Sequence, residues 1–464
     1  VIPVLTPQEM GAVDAAAPEP VDVLIGRAGA AVAQAAVEMM GGTYGRRVVV
    51  VAGKGNNGND GRDAAERLRR RGVRVEVVPA EESPRRLPAA DLVIDAAYGT
   101  GFRGDYLAPD PGGALVLAVD IPSGVDGLTG VAAGPVMAAD RTVTFAALKP
   151  GLLFGDGASS TGEVTVADIG LDVSSATAHR VEVTDVAGWL PRRKADAHKW
   201  QSACWIIAGS AGMTGAAHLA ARAAQRAGAG YVRLSTPGVP DDLLRPAEAV
   251  GRPLPPTDWL QSVGHDAHRF GAFVVGPGLG LGHEASTGVR ALLRMLDPAV
   301  VLDGDGLSAL GSRAVNTLIA RRHPTVLTPH DGEFERLTGA LPGSDRVAAA
   351  RSLAEQSGAV VLLKGATTVV AEPGGAVLLS TSGDSRLATA GTGDVLAGVI
   401  GALCATGLDP FHAAACGAFI HGLAGTLGWR QGLVAGDLVD RLPEAFALIA
   451  ATGPDRRRTD RDQR

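Results

Sequence analysis

Over the first 170 residues, short uninterrupted apolar runs alternate with longer stretches of helical period. The runs at 47–52, 73–78, 92–96, 115–120, 142–146 and 163–167 predict strands. They lack the apolar–polar alternation of a half-exposed sheet, so both faces are expected to be buried. Thr6-Pro7-Gln8-Glu9 has the spacing of a capping box with proline at the first helical position, which opens a helix to about residue 17. A second helix is expected over 21–40. A third, over 60–71, has the length of a crossover between parallel strands. The pattern pauses between Ser174 and Ala197, where Pro191 and Arg192-Arg193-Lys194 read as a linker. A second series follows, with strands expected at 203–208, 231–235, 272–275, 300–303, 326–328 and 359–364. A β pair at 368–371 and 376–379 and several closing helices complete it.

The fold class expected is α/β in two domains: a Rossmann-like, doubly wound sheet over 1–190 and a second α/β domain over 195–453. The charged tail 454–464 is expected to be disordered. A length of 464 residues suits two large domains at about 150 residues or more each. Hydrophobic residues at 46% exclude a disordered chain, and a net charge of −6 argues against a broad grip on nucleic acid. The chain opens without a basic, then apolar, leader, and its most apolar late stretch, 395–408, is too short to span a bilayer. No membrane association is therefore expected, and the setting expected is the cytoplasm. Cys204, Cys404 and Cys416 are too scattered for a disulfide framework or a zinc site and are expected as idle thiols. Only five of the 43 basic residues are lysine, at 54, 149, 194, 199 and 364, and four of these fall inside the motifs below.

Gly53-Lys54-Gly55-Asn56-Asn57-Gly58-Asn59-Asp60-Gly61 satisfies the dinucleotide fingerprint, which alone is a weak signal. Its crowded amides and carboxylate are oxygen donors suited to a hard cation or to ligand hydroxyls, as well as being turn formers and a candidate cap at Asp60. Asp95 and Asp120 end two further strands. They lead into Tyr98-Gly99-Thr100-Gly101-Phe102-Arg103-Gly104-Asp105 and Ile121-Pro122-Ser123-Gly124. In a doubly wound sheet such loops converge on one crevice, so three strand-end sets read better as a site than as separate caps. In the second half, Ala388-Thr389-Ala390-Gly391-Thr392-Gly393-Asp394 runs into an apolar helix. Small residues there expose backbone N–H groups to an anion, and Asp394 stands one step inside as a candidate base.

With Thr144-Phe145 and Lys149-Pro150-Gly151, the first set resembles the NAD(P)HX epimerase domain over residues 1–185, except that Asn59 replaces a family glycine. The resemblance implies a potassium ion held by Asn57, Asp95 and Ser123. It also implies a hydrated nicotinamide nucleotide contacted by Asn56, Asn57, Gly58, Asn59 and Asp60, by Gly99, Thr100, Gly101, Phe102, Arg103, Gly104 and Asp105, and by Asp120. Asp120, at its strand end, is expected to do acid–base work.

The second half carries Gly209–Ala216, Gly276–Gly280, Asp303–Leu307, Thr328–Phe334 and Lys364–Thr368 ahead of its GTGD. This set resembles the ribokinase-like NAD(P)H-hydrate dehydratases over about 195–450, with His198-Lys199-Trp200 where the family has histidine-lysine-glycine. It implies ADP, with magnesium, on Lys364, Gly365, Ala366, Thr367 and Thr368. Ser385, Arg386, Leu387, Ala388, Thr389, Ala390, Gly391, Thr392 and Gly393 would complete that nucleotide site. The hydrate would meet Ala216, Gly278, His330, Asp331, Gly332, Glu333, Phe334, Glu335 and Arg336, with Asp394 as base. The implied activity is bifunctional: epimerisation of R and S hydrates of NADH or NADPH, and ADP-dependent dehydration of the S form. Small molecules are the expected partners, and a homo-oligomer is expected. The competing reading is a ribokinase-like vitamin or sugar kinase fused to a non-catalytic Rossmann-like binding domain. A weaker one is an NAD-dependent oxidoreductase, for which the second half offers no hydride-transfer partner.

Overall fold

The computed structural model describes residues 1–239, 242 and 244–453, so the expected tail disorder at 454–464 lies outside the described residues. The chain divides into two compact units, residues 2–179 and, Val1 aside, from Arg180 onward.

The first unit is built on six parallel strands: β1 (Arg47–Ala52), β2 (Arg74–Pro79), β3 (Leu92–Ala96), β4 (Leu115–Val119), β5 (Arg141–Phe145) and β6 (Glu163–Ala167). They lie in the order β2-β1-β3-β4-β5-β6. The order reverses at β1/β3, so the loops leaving those two strands part to opposite faces and open a crevice between them. Val48, Val50, Leu92 and Ile94 face one apolar cluster, while Val49, Val51 and Val93 face another. That is the period-two alternation of a sheet covered on both sides. Among the described residues one helix, Val21–Met40, is long and apolar enough to cross a membrane. Here it lays Ala28, Val32, Ala36 and Met40 into the first of those clusters.

The crossover helix differs from expectation. It runs Asn56–Arg70, not from Asp60, with Gly55 as its N-cap, so the polar motif is the helix's first turn rather than a loop. Close approach explains the early start. A Cβ on Gly53 would lie 1.9 Å from the Ala97 carbonyl oxygen, and one on Gly58 would lie 1.9 Å from that of Gly53. Only glycine lets strand, turn and helix meet so tightly. Asp60 is accordingly no cap.

In the second unit the strands are β7 (Ala203–Ile207), β8 (Tyr231–Ser235), β9 (Val250–Gly251), β10 (Ala272–Val275), β11 (Ala299–Leu302), β12 (Thr325–Leu327), β13 (Val360–Leu363), β14 (Thr368–Ala371) and β15 (Val377–Ser380). Their order is β15-β14-β13-β12-β11-β10-β7-β8-β9, parallel from β13 to β9 and antiparallel at β13/β14/β15. The helices Thr214–Arg226, Thr392–Ala405, Pro410–Thr426 and Ala435–Thr452 share a core with one face of this sheet. The expected linker is a correction: it contains a helix, Val183–Trp189, whose Val186 is fully buried in that core. At seven residues it is too short to show a helical period. Cys204, Cys404 and Cys416 are free and buried.

Candidate functional site

In the first unit the strand ends, the turn into the crossover helix and the helix Pro7–Ala15 enclose a cavity of about 760 Å³. Asn56, Asn57, Asp60, Gly99, Thr100, Gly101, Phe102, Asp120 and Lys149 line it. Asp120 follows β4 with φ 68°, a left-handed conformation that costs an aspartate of order 1 kcal/mol and recurs at functional sites. The fold holds it there by a 2.7 Å bond from its backbone N–H to the Val143 carbonyl. Its carboxylate accepts from the Thr100 N–H at 3.2 Å and the Thr144 hydroxyl at 3.1 Å, and pairs with the Lys149 ammonium at 2.7 Å. Lys149 is buried, at 2% side-chain exposure, and also donates to Thr144 Oγ1 and the Phe145 carbonyl. Burial alone would raise the Asp120 carboxyl. The Lys149 charge and these hydrogen bonds outweigh it and hold the group below the ordinary value. Asp120 is therefore a carboxylate at neutral pH.

Asp60, by contrast, is pushed up to about 8 by burial and by the charges of Asp120, Asp63 and Asp14. Asp95 is fully buried and its carboxyl is raised by burial, which the Ser123 hydroxyl (2.6 Å) and N–H (2.9 Å) offset only in part. The side-chain amide of half-buried Asn57 is itself shut off from solvent, and neither its Oδ1 nor its Nδ2 has a hydrogen-bond partner. An orphaned buried amide oxygen costs about 1–3 kcal/mol unless a ligand satisfies it. Amide, carboxylate and hydroxyl oxygens are hard donors, so the chemistry of this set fits a hard cation. Gly99 lies between Asn57 and Asp120: a Cβ there would be 3.4 Å from Asn57 Oδ1 and 3.1 Å from Asp120 Oδ2. Asn59 Oδ1 accepts from Arg62 at 3.3 Å, and Arg103, 3.9 Å from Asp126, is well exposed.

In the second unit the ends of β11, β12 and β13 bring Asp303, Thr328 and Lys364 together. Asp303 Oδ1 accepts from Thr328 Oγ1 at 2.7 Å and pairs with Lys364 Nζ at 2.9 Å, and Glu333 Oε2 lies 3.4 Å from the same ammonium. A Cβ on Gly393 would sit 3.5 Å from Lys364 Nζ and 3.9 Å from Asp303 Oδ2, so the GTGD turn faces this cluster. Asp394 lies in the first turn of Thr392–Ala405 behind Gly391, its N-cap. Burial pushes its carboxyl up to about 7. Asp303, Asp305 and Glu333 add repulsion, and Lys364 offsets part of it. A carboxyl so placed is poised near neutral pH. Buried His421, lowered to about 4 by burial, donates from Nε2 to the Thr392 carbonyl at 2.9 Å and fixes the turn from the next helix.

The remaining expected residues divide. Gly278 and Ala216 meet, a Cβ on the former being 3.1 Å from that of the latter, and Asp305 accepts from the Gly280 N–H at 2.8 Å. His330 is exposed and caps Asp331–Thr338, accepting from the N–H groups of Gly332 and Glu333, while Phe334 is buried. Asp331 pairs with Arg346, whose guanidinium also donates to the Lys364 carbonyl. Arg336 donates to Ser308, and Glu335 is exposed. Gly365, Ala366, Ser385, Ala388 and Ala390 are exposed and Thr367 is buried. Arg386 and Leu387 are turned to the scaffold: Arg386 pairs with Asp384 and donates to the Thr426 and Gly428 carbonyls, and Leu387 sits against Gly383 and Gly425. Lys149, Asp303 and His421 were not singled out by sequence as site residues. The scarcity of lysine was the available signal for Lys149.

A family described as NAD(P)H-hydrate dehydratase matches residues 204–446, and one described as YjeF-related protein N-terminus matches 21–90 and 79–151. The bifunctional NAD(P)H-hydrate repair enzyme Nnr of Mycobacterium tuberculosis (H37Rv) is 41% identical over 81% of this chain and 82% of its own. That of Moorella thermoacetica is 37% identical over 95% and 96%. The crystal structure of the Bacillus subtilis ADP/ATP-dependent NAD(P)H-hydrate dehydratase with ATP and magnesium is 31% identical. It covers 58% of this chain and 97% of its own, with a TM-score of 0.50. A ribokinase-like protein from Enterococcus faecalis shares the fold of the second unit at 21% identity and a TM-score of 0.52. The chain belongs to the family of bifunctional NAD(P)H-hydrate repair enzymes.

Proposed function

We propose that the first unit interconverts the R and S hydrates of NADH and NADPH, and that the second dehydrates the S form at the expense of ADP. The observation that carries the second half is Asp394: a half-buried carboxyl poised near pH 7 at a helix N-terminus, next to the Gly393 turn that faces Lys364. Asp394 takes the proton of the ring hydroxyl, whose oxygen attacks the terminal phosphoryl group of ADP, and AMP leaves. The N–H groups of the Gly391–Gly393 turn stabilise the negative charge in transit. The ring nitrogen then expels phosphate from C6, and the resulting C6=N1 iminium loses a proton from C5 to water, so that the C5–H pair forms the C5=C6 bond and restores the dihydronicotinamide. Magnesium would accompany the nucleotide and offset its charge; the Bacillus subtilis dehydratase was co-crystallised with ATP and magnesium. Hydroxide is a poor leaving group at neutral pH and phosphate is not, which is why a nucleotide is spent. The kinase alternative predicts a stable phosphorylated product. On the dehydratase reading, S hydrate with ADP and magnesium gives one phosphate and one AMP per NADH, and no phosphorylated hydrate accumulates. A phosphate ester surviving without AMP-coupled NADH formation contradicts this, as read by phosphorus NMR.

In the first unit the proposed acid–base group is Asp120, with potassium on Asn57, Asp95 and Ser123. What supports the ion is the orphaned Asn57 amide together with the buried Asp95 carboxyl. The ion would satisfy both and hold the loop that carries Gly99 against the substrate. Replacing potassium with tetramethylammonium is expected to slow R-to-S conversion by about tenfold or more. An unchanged rate contradicts the ion.

A further inference from the structure

The cavity of the first unit holds a buried carboxyl that is implied to contact the hydrate but to which neither the fold nor that contact gives a part in the proton transfers. Asp60 lies in the second turn of Asn56–Arg70, is 7% exposed and lines the cavity. It does not cap the helix, a task that falls to Gly55, and aspartate is a mediocre residue for a helix interior. Among the described residues nothing donates a hydrogen bond to it and no cation pairs with it, whereas Asp120 in the same cavity has Lys149, Thr144 and Thr100. A buried carboxyl with no partner is stable only with its proton on. One paired to an ammonium is stable only without it. The cavity thus presents one carboxylic acid and one carboxylate, the division of labour by which two like side chains serve as acid and base.

We propose that Asp60 is the proton donor of the epimerisation, acting on the hydroxyl at C6 of the hydrated ring, with the Asp120–Lys149 pair as the proton acceptor. The inference rests on the reading of the first unit as an epimerase. The hydrate is a carbinolamine, so its ring nitrogen can expel the C6 oxygen once that oxygen is protonated. Asp60 gives its proton to the hydroxyl. The C6–O bond breaks with its electron pair on the departing water, and the N1 lone pair forms the C6=N1 bond. Water adds to the opposite face of C6, the new C6–O bond forms as the C6=N1 pair returns to nitrogen, and the surplus proton passes to the Asp120 carboxylate. Transfer from Asp120 to Asp60 through solvent resets the site. Nothing is oxidised and no co-reactant but water is needed.

The charges facing Asp60 are Asp63 on its own helix, Asp14 from Pro7–Ala15 and Asp120 after β4. Lys149 is directed to Asp120, and Arg62 and Lys54 also line the cavity, Lys54 being paired with Glu81. The three carboxylates, after burial, hold Asp60 up at about 8. The donor therefore keeps its proton up to about that pH and loses it above, and epimerisation falls as pH rises through it.

The test uses the full chain and purified R hydrate without ADP, following S hydrate by chromatography. The dehydratase rate on S hydrate with ADP serves as the internal control. Asp60→Asn is expected to lower kcat by about 100-fold or more with KM changed less than about threefold and the dehydratase rate unchanged, and Asp60→Glu to recover part of the loss. The wild-type rate falls above about pH 8, a limb the Asn variant lacks. An Asn variant within about threefold of wild type overturns the proposal, as does a wild-type rate that holds flat through that limb. The wild-type profile decides the matter even if the variant fails to fold. A wild-type chain that does not epimerise at all overturns the parent reading, and an active wild type with an active Asn variant overturns this proposal alone.

Discussion

Asp394→Asn is expected to abolish recovery of NADH from the S hydrate while R-to-S conversion continues at the wild-type rate. The amide keeps the shape of the carboxyl and its place in the first turn of Thr392–Ala405, but it cannot accept the hydroxyl proton. Loss of a general base costs about 10²–10⁴ in rate. The substitution also removes one of several carboxyls crowded around Lys364, so folding stability is expected to hold or rise slightly. Stopped-flow absorbance of the dihydronicotinamide reads the first effect and thermal melting the second. A variant with more than a tenth of wild-type dehydration would remove Asp394 from the role of base.

Asp120→Asn is expected to act on the first unit with a different signature, because its partner is buried. Removing one member of a buried ion pair leaves an uncompensated charge and costs about 3–5 kcal/mol. Lys149, at 2% side-chain exposure, would be that stranded charge. Epimerisation is lost, dehydration is kept, and the first unit melts earlier. Lys149→Met alone leaves Asp120 unpaired and also destabilises. The double substitution Asp120→Asn with Lys149→Met removes both charges and is expected to restore most of the stability and none of the activity. A double-mutant cycle by thermal melting, alongside R-to-S rates, separates packing from catalysis. Recovery of epimerisation in the double variant would contradict the catalytic assignment. The pair also sets an acid limit. Asp120 is held below its ordinary value in the fold, so its stabilising contribution is present above the unfolded value and is lost as pH falls through the folded one.

The skeleton of the fold was legible because its strands are buried on both faces. The spans Arg47–Ala52, Leu92–Ala96, Glu163–Ala167, Tyr231–Ser235, Ala272–Val275 and Thr368–Ala371 agree residue for residue with the apolar runs, as does the helix Val21–Met40. What failed was local. The crossover helix starts four residues early because Asn56 and Asn57, read as turn formers, follow a strand-to-helix turn compressed by Gly53 and Gly58. Val250–Gly251 and Val183–Trp189 are too short to leave a period.

The site was legible as a set of strand ends, but its electrostatics were not. Which carboxyl carries a proton depends on partners far along the chain. Lys149 reaches back to Asp120, and Asp303 meets Lys364 across the sheet. Arg386 and Leu387 sit within a motif assigned to nucleotide binding and serve the scaffold, a distinction only three-dimensional contacts reveal. His421, on Pro410–Thr426, holds the GTGD turn through the Thr392 carbonyl, a contact between two helices that sequence does not show.

The most direct test supplies the wild-type chain with an equilibrated mixture of R and S hydrated NADH, ADP and magnesium, and follows the return of dihydronicotinamide absorbance. Two working units convert the whole mixture in one fast phase, limited only by enzyme. Fast conversion of the S share alone, followed by a slow drift at the spontaneous epimerisation rate, would contradict the account of the first unit. No recovery would contradict that of the second.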